Sequence, residues 1–198
     1  MPFFNYAAKE INLKLVYYGP GLSGKTECAQ WIHRKTDPSR RGALLRLNTD
    51  SERTLFFDFM PLTLGTLGGL RVRLHVYTVP GQIHYAATRK LVMRSADGVV
   101  FVADSQAMRM DANCESLDNL HRDVAEHRLD LGDAYVIQYN KRDTPDALPL
   151  AELRAALNPA GWPEFETVAT RGEGVFDVLR AVTRLALAQL QTPQAAGQ

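Results

Sequence analysis

Gly19-Pro20-Gly21-Leu22-Ser23-Gly24-Lys25-Thr26 fits the pattern G-x-x-x-x-G-K-[ST], with an apolar run over residues 11–18 before it and a helical pattern over 24–35 after it. Glycines let successive backbone N–H groups curl toward one point, and a helix that starts there adds its positive dipole end. The spacing therefore predicts a strand, a phosphate-cradling loop and a helix. Gly19, Gly21, Leu22, Ser23, Gly24 and Glu27 form or adjoin the cradle, Lys25 reaches the outer phosphates and assists catalysis, and the Thr26 hydroxyl ligates Mg²⁺. A plain glycine turn between strand and helix is the bland rival. Gly19, Gly21 and Gly24 also spell G-x-G-x-x-G, a dinucleotide fingerprint. That reading needs an acidic residue about 20 positions on, for which Asp50 is a loose candidate, and Lys25-Thr26 favours the phosphate loop.

Outward from the loop, apolar and helical stretches alternate, the pattern of an α/β fold with helices on both faces of a mostly parallel sheet. Residues 99–103 and 135–139 read as buried central strands because they show no regular polar alternation, and 165–169 is a weaker last strand. Helices fit 107–127, with Leu117, Leu120 and Val124 on one face, and 174–190, with Val175, Val178, Leu179, Val182 and Leu185. Residues 57–64, then Gly68-Gly69, then 70–77 predict an antiparallel hairpin, and Pro61, which lacks an N–H, puts its strand at the sheet edge. Residues 42–48 read either as a short strand or as loop.

Residues 135–139 run into Asn140-Lys141-Arg142-Asp143, which is N-K-x-D at the carboxyl end of a central strand. Ligands of open α/β sheets bind at that end, so this motif and the phosphate loop should open onto one crevice. An Asp carboxylate accepts two hydrogen bonds from the N1–H and N2–H₂ edge of guanine, and adenine has no such donor pair. A polar turn after a strand is the competing reading of N-K-x-D taken alone.

Composition bounds the rest. The 198 residues are 45% apolar and 23% charged, and 23 basic side chains face 22 acidic ones. That suits one domain, residues 1–190, with a flexible tail over 191–198. Near-neutral charge argues against a general nucleic-acid binder. The local clusters Arg34, Lys35, Arg40, Arg41 and Arg89, Lys90, Arg94 read as solvated helix faces. Two cysteines without C-x-x-C spacing suit a reducing cytosol. No apolar run is long enough to cross a bilayer, and no lipidatable Cys stands in the last residues, so a cytoplasmic protein without an integral membrane segment is expected. The five histidines show no zinc spacing.

Several stretches resemble the MglA-type branch of the Ras-like small GTPases, bacterial switches of cell polarity and of gliding or pilus-based motility. They are Val16-Tyr17-Tyr18-Gly19-Pro20-Gly21, Arg53-Thr54-Leu55-Phe56-Phe57-Asp58-Phe59, Tyr77-Thr78-Val79-Pro80-Gly81-Gln82 and Val99-Val100-Phe101-Val102-Ala103-Asp104-Ser105. The T-V-P-G-Q element is the most specific, because most small GTPases carry D-x-x-G there. The resemblance spans residues 4 to about 190 and implies a P-loop NTPase fold, a mostly parallel six-stranded sheet with one antiparallel edge strand. It assigns Thr54 to the first switch, with its hydroxyl on Mg²⁺ and its backbone on the γ-phosphate of GTP. Gly81 would give its N–H to the same phosphate, Gln82 would orient the attacking water, and Arg53 would be an arginine finger in cis. Asn140 and Asp143 would read guanine, Lys141 would lie along the base, and Ala169 would offer its N–H to the guanine oxygen.

Thr78 departs from the Ras pattern and removes the Asp that usually holds a Mg²⁺-bound water. Asp58 is the candidate for that task, against the reading of an outward strand residue. Asp104 reads as a cap or a loop residue near the nucleotide, and Glu27, where relatives carry Thr, should point away along the helix. The implied partners are MglB, a Roadblock-type activating dimer, and polarity or motility effectors, with recruitment to a cell pole in the GTP state. Two rivals stay in view. A GTP-dependent binding module or adaptor would hydrolyse negligibly, and a small-molecule kinase would need an acceptor pocket and an Arg-rich lid, which N-K-x-D argues against.

Overall fold

The computed structural model describes residues 3–47, 57–82, 85–126 and 134–189. Among them eight strands form one sheet: β1 (Phe3–Asn5), β2 (Glu10–Tyr18), β3 (Leu45–Leu47), β4 (Phe57–Leu67), β5 (Leu70–Thr78), β6 (Gly98–Asp104), β7 (Tyr135–Asn140) and β8 (Glu164–Glu166). Five α-helices cover it: α1 (Lys25–Lys35), α2 (Ala86–Met93), α3 (Met110–Glu126), α4 (Leu150–Leu157) and α5 (Val175–Gln189).

The sheet order is β3-β4-β5-β2-β6-β7-β8. The ladders from β5 through β2, β6 and β7 to β8 are parallel, so those strands need helical crossovers. β4 runs antiparallel to β5 through the two-residue Gly68-Gly69 turn. β5 takes one edge of β2 over residues 10–17 and β6 takes the other only over 15–18, which leaves the edge of residues 10–12 for antiparallel β1.

Alternation along β2 builds two cores. Ile11, Leu13, Leu15 and Tyr17 face the layer of α1 and α5, and Val16 and Tyr18 face the layer that includes α3 and α4. β6 and β7 are buried at every position, as their unbroken apolar runs predicted. The stripe of α5 is buried at Val175, Val178, Leu179 and Val182, and Leu185 packs partly against it.

The expected six strands are joined by β1 and β3, whose three residues each are too few to show a period. β4 is antiparallel as predicted but is not outermost. The β3 ladder covers residues 57–59 and stops short of Pro61, whose carbonyl then takes the Gly42 N–H at 2.8 Å. The helix expected over 107–127 begins as a 3₁₀ turn at Ala107–Arg109 before α3. The sequence reading shows α2 only as a helix face at Arg89, Lys90 and Arg94, and α4 has no counterpart in it.

Candidate functional site

The loop after β2 delivers the cradle. Gly24, the N-cap of α1, is left-handed at φ 101°, and no side chain caps the helix, so its first N–H groups face the loop without side-chain partners. A Cβ on Gly24 would lie 2.2 Å from the Asn140 amide nitrogen, so the close approach of loop and base motif requires glycine. Ser23 is fully buried, and Leu22, at φ 67°, points its side chain to solvent at 83% exposure. Lys25 is buried and donates to the carbonyls of Gly19 at 2.8 Å and Pro20 at 2.6 Å. Burial pushes its ammonium pKa down to about 7. Among the described residues no carboxylate pairs with that charge, and an anion in the cradle would.

Thr26 lies one residue further along α1, and its hydroxyl donates to Asp58 Oδ2 at 2.8 Å. The alternation that buries Met60 and Leu62 of β4 also turns Asp58 inward, at 8% exposure, so the reading of an outward strand residue fails. Thr78, at the end of β5, donates its hydroxyl to the same oxygen at 2.9 Å and accepts the Asp58 N–H at 3.1 Å. Arg46 of β3 stands 3.6 Å from the other carboxylate oxygen. Two hydroxyls and a carboxylate are the hard oxygen donors that suit Mg²⁺, which keeps waters and phosphate oxygens as most of its ligands.

Glu27 points outward to Arg34 at 2.9 Å, as expected.

At the base end Asn140 is a tie. Its amide nitrogen donates to the Ser23 carbonyl at 2.8 Å, and its oxygen accepts from Thr167 Oγ1 at 3.1 Å and the Ala169 N–H at 3.0 Å. Ala169, expected at the guanine oxygen, thus stands beside Asn140 with its N–H donating to that side chain. Asp143 is exposed, and its carboxylate has no partner among the described residues. Lys141, left-handed at φ 64°, donates to the buried Asp104 Oδ2 at 2.6 Å, which places Asp104 beside the base motif. Arg109 stands 3.8 Å from the same oxygen and donates to the Gly21 carbonyl at 2.7 Å, so Asp104 also reaches the phosphate loop.

Gly81 presses on that loop from the other side: a Cβ there would lie 2.1 Å from the Gly21 nitrogen. Gln82 is exposed beside it. Gly21, Gly81, Gln82, Arg89 and Arg109 line a cavity of about 370 Å³. A larger cavity of about 1050 Å³, between β4 and α5, lies away from the loop. Arg53 and Thr54 lie outside the described residues. Sequence reasoning missed Arg109 and Arg89. Neither stands in a motif, and Arg89 was absorbed into a basic cluster read as solvent-facing.

The family model described as the ADP-ribosylation factor family matches residues 45–185, which include T-V-P-G-Q and N-K-x-D. The "Mutual gliding-motility protein MglA" of Myxococcus xanthus (strain DK1622) is 55% identical over 192 residues, 96% of this chain and 98% of that protein. The "ADP-ribosylation factor-like protein 6" of Caenorhabditis briggsae and that of Caenorhabditis elegans are 32% and 29% identical over 109 residues, 51% of this chain and 55% of theirs.

Proposed function

The chain belongs to the ADP-ribosylation factor family and is a GTP-binding small GTPase similar to MglA; from that premise we propose that it is a Mg²⁺-dependent guanine-nucleotide switch of cell polarity and gliding motility. The observation that supports this most is the convergence of three groups on one crevice. The uncapped start of α1 carries the charge of Lys25, Asn140 ties the N-K-x-D motif, with its exposed Asp143, to Ser23 of the loop, and Gly81 and Gln82 abut Gly21.

In this reading Lys25 leaves the carbonyls of Gly19 and Pro20 for the outer phosphates, and the first amides of α1 hold the phosphate oxygens. Thr26, with Thr54 from the first switch, would hold Mg²⁺, and Asp58 would orient a metal-bound water in place of the missing Asp at position 78. When bound, the metal neutralises charge between the β- and γ-phosphates. Asp143 takes the N1 and N2 edge of guanine, and Lys141 lies along the base. The Ala169 N–H, which donates to Asn140 here, passes to the guanine oxygen. Gln82 aligns water, and Arg53 neutralises charge developing on the transferred group.

Intrinsic turnover is slow, and an activating protein of the Roadblock type, MglB, accelerates it. In the GTP state the cytoplasmic protein engages polarity or motility effectors at a cell pole. β4 and β5, which join the two switch segments, shift register between Thr63 and Thr66, a ready point for a nucleotide-driven slide. Crystals of the diphosphate and triphosphate-analogue forms test this, and identical strand registers defeat it.

The deciding experiment titrates GTP, GDP and ATP in the presence of Mg²⁺. Guanine nucleotides should bind and ATP should not, and Asp143→Asn should shift preference toward xanthine, whose 2-oxo group accepts rather than donates. Equal binding of GTP and ATP defeats the reading. A parent protein that binds GTP but fails to hydrolyse it in a single-turnover assay, with or without an activating protein, is an adaptor instead.

A further inference from the structure

Arg89 stands next to Lys90 in the middle of α2. Lys90 keeps to the surface, 2.6 Å from the exposed Glu126. Arg89 is buried, at 5% exposure. A guanidinium carries five N–H donors and never loses its proton, so one taken out of water must be met by acceptors. Arg89 Nη1 donates to the Gln82 carbonyl at 2.5 Å and approaches the Pro80 carbonyl at 3.4 Å.

Those two acceptors bracket Gly81. In a planar trans peptide the carbonyl and the following N–H point in opposite directions. A cation that draws the Pro80 carbonyl toward α2 therefore turns the Gly81 N–H away from α2. The Gln82 carbonyl, held by the same nitrogen, fixes the backbone from which the Gln82 side chain starts.

The guanidinium is itself held from behind. The hydroxyl of Tyr18 donates to Asp123 Oδ2 at 2.8 Å, and both residues are buried. The Arg89 charge acts on the same hydroxyl as well. Tyr18 ends β2 and directly precedes Gly19, so one polar chain runs from the foot of the phosphate loop, past α3, to the peptide units around Gly81.

We propose that Arg89 is a positioning residue for GTP hydrolysis: it clamps the Pro80–Gly81 and Gln82 carbonyls so that the Gly81 N–H and the Gln82 side chain keep their working directions, while Tyr18 and Asp123 hold the clamp. This rests on the reading of Gly81 and Gln82 as hydrolytic residues. Arg89 acts through them.

The test compares the parent with Arg89→Ala, Arg89→Lys and Tyr18→Phe in single-turnover GTP hydrolysis, with GDP affinity measured on the same preparations. Misplacement of a reacting group by about 1 Å costs on the order of 10²-fold. Arg89→Ala should accordingly hydrolyse GTP ~10- to 100-fold more slowly with GDP affinity retained. Arg89→Lys, with one compact ammonium in place of a fork, should recover part of the rate, and Tyr18→Phe should lose less than Arg89→Ala. A parental rate in Arg89→Ala overturns the proposal. So does a loss shared equally by hydrolysis and GDP affinity with no recovery by Lys, because that is the mark of a purely structural residue. Should the parent hydrolyse no GTP, the hydrolytic reading itself falls. The clamp is then judged by hydrogen exchange in the GDP-bound protein: faster exchange at Gly81 in Arg89→Ala, with β6 unchanged, supports it, and unchanged exchange at Gly81 overturns it.

Discussion

The two halves of the sheet meet at one crevice but are built differently. β2, β6 and β7 are parallel and almost wholly buried, and their loops are bound together by Asn140, which joins the phosphate loop to the segment after β8. β3, β4 and β5 are antiparallel, half-exposed on one face, and carry a register irregularity. At the crevice this second half is tied through Asp58, whose carboxylate Thr26, Thr78 and Arg46 share. A nucleotide switch needs this division, because a frame that keeps hold of the ligand can report its state only through a part that moves relative to it. Fixed half and movable half should therefore respond differently to substitution.

The largest effect is expected where the fixed half is knotted. Asn140→Ala removes three hydrogen bonds and leaves the Ala169 N–H and the Ser23 carbonyl short of partners in a buried place, while the Thr167 hydroxyl keeps Gln138 and the Tyr139 carbonyl. Each such loss costs about 1–3 kcal/mol, so GDP affinity should fall by at least ~100-fold. Fluorescent-GDP displacement measures it. A loss under tenfold would mean that the loops hold their places without the tie.

The charge of Lys25 comes next. Burial holds its ammonium at about pKa 7, below the ordinary lysine value of 10.5. A bound triphosphate stabilises the protonated form, so binding above pH 7 must take up a proton. The sign follows: GTP affinity is flat below about pH 7 and falls by up to ~10-fold per pH unit above it, until the pKa of the bound state is reached. Calorimetry at pH 8 in buffers of different ionisation heat should register uptake approaching ~1 proton per nucleotide, which Lys25→Met abolishes. A pH-independent affinity between 7 and 8.5 would show that the lysine is already charged in the empty loop.

The movable half should lose less at the ligand. Asp58→Ala leaves Thr26 and Thr78 without their shared acceptor but removes no contact to the base. Affinity for GDP with Mg²⁺ should drop by ~10-fold, equivalent to about 1.4 kcal/mol, and affinity without Mg²⁺ should barely change. Equal losses with and without the metal would make Asp58 a strand-packing residue and remove the coupling between β4 and the metal site.

What the sequence disclosed follows the same division. The phosphate loop, N-K-x-D and the buried runs of β6 and β7 were legible because each is set by local spacing or by an unbroken apolar run. β1 was not, and β3 stayed open between strand and loop, since three residues carry no period, and α2 and α4 are barely two turns long. The inward turn of Asp58 could be read only from the register of β4, where Met60 and Leu62 fix the buried face. The bonds of Asn140 to Ser23 and Ala169, and of Arg109 to Gly21, join positions far apart in the chain, and no local pattern announces them. Ala169 shows the consequence. Its place in the motif suggests a donor to the base, and only the fold reveals that Asn140 also draws on that N–H.

The smallest effect is expected at Glu27, on the fixed half but facing away from it. Two forces on this carboxylate oppose each other. In the first turn of an uncapped helix it favours the positive end of the dipole, worth about 0.3–1 kcal/mol. Once phosphates occupy the cradle, the same charge repels them across the helix start. Its ion pair with Arg34 adds little, because the two side chains are 32% and 52% exposed, and such pairs contribute about 0–1 kcal/mol. Glu27→Gln should thus lower the stability of the nucleotide-free protein by less than ~1 kcal/mol while tightening GTP binding by no more than ~3-fold. Both effects should shrink as salt is raised from low to physiological strength, since only exposed charges are involved. Thermal midpoints with and without nucleotide at two salt concentrations measure the pair of changes. A large loss of GTP affinity in Glu27→Gln would mean that this side chain turns inward when the cradle fills, and the fixed half would then be less fixed than its hydrogen bonds imply.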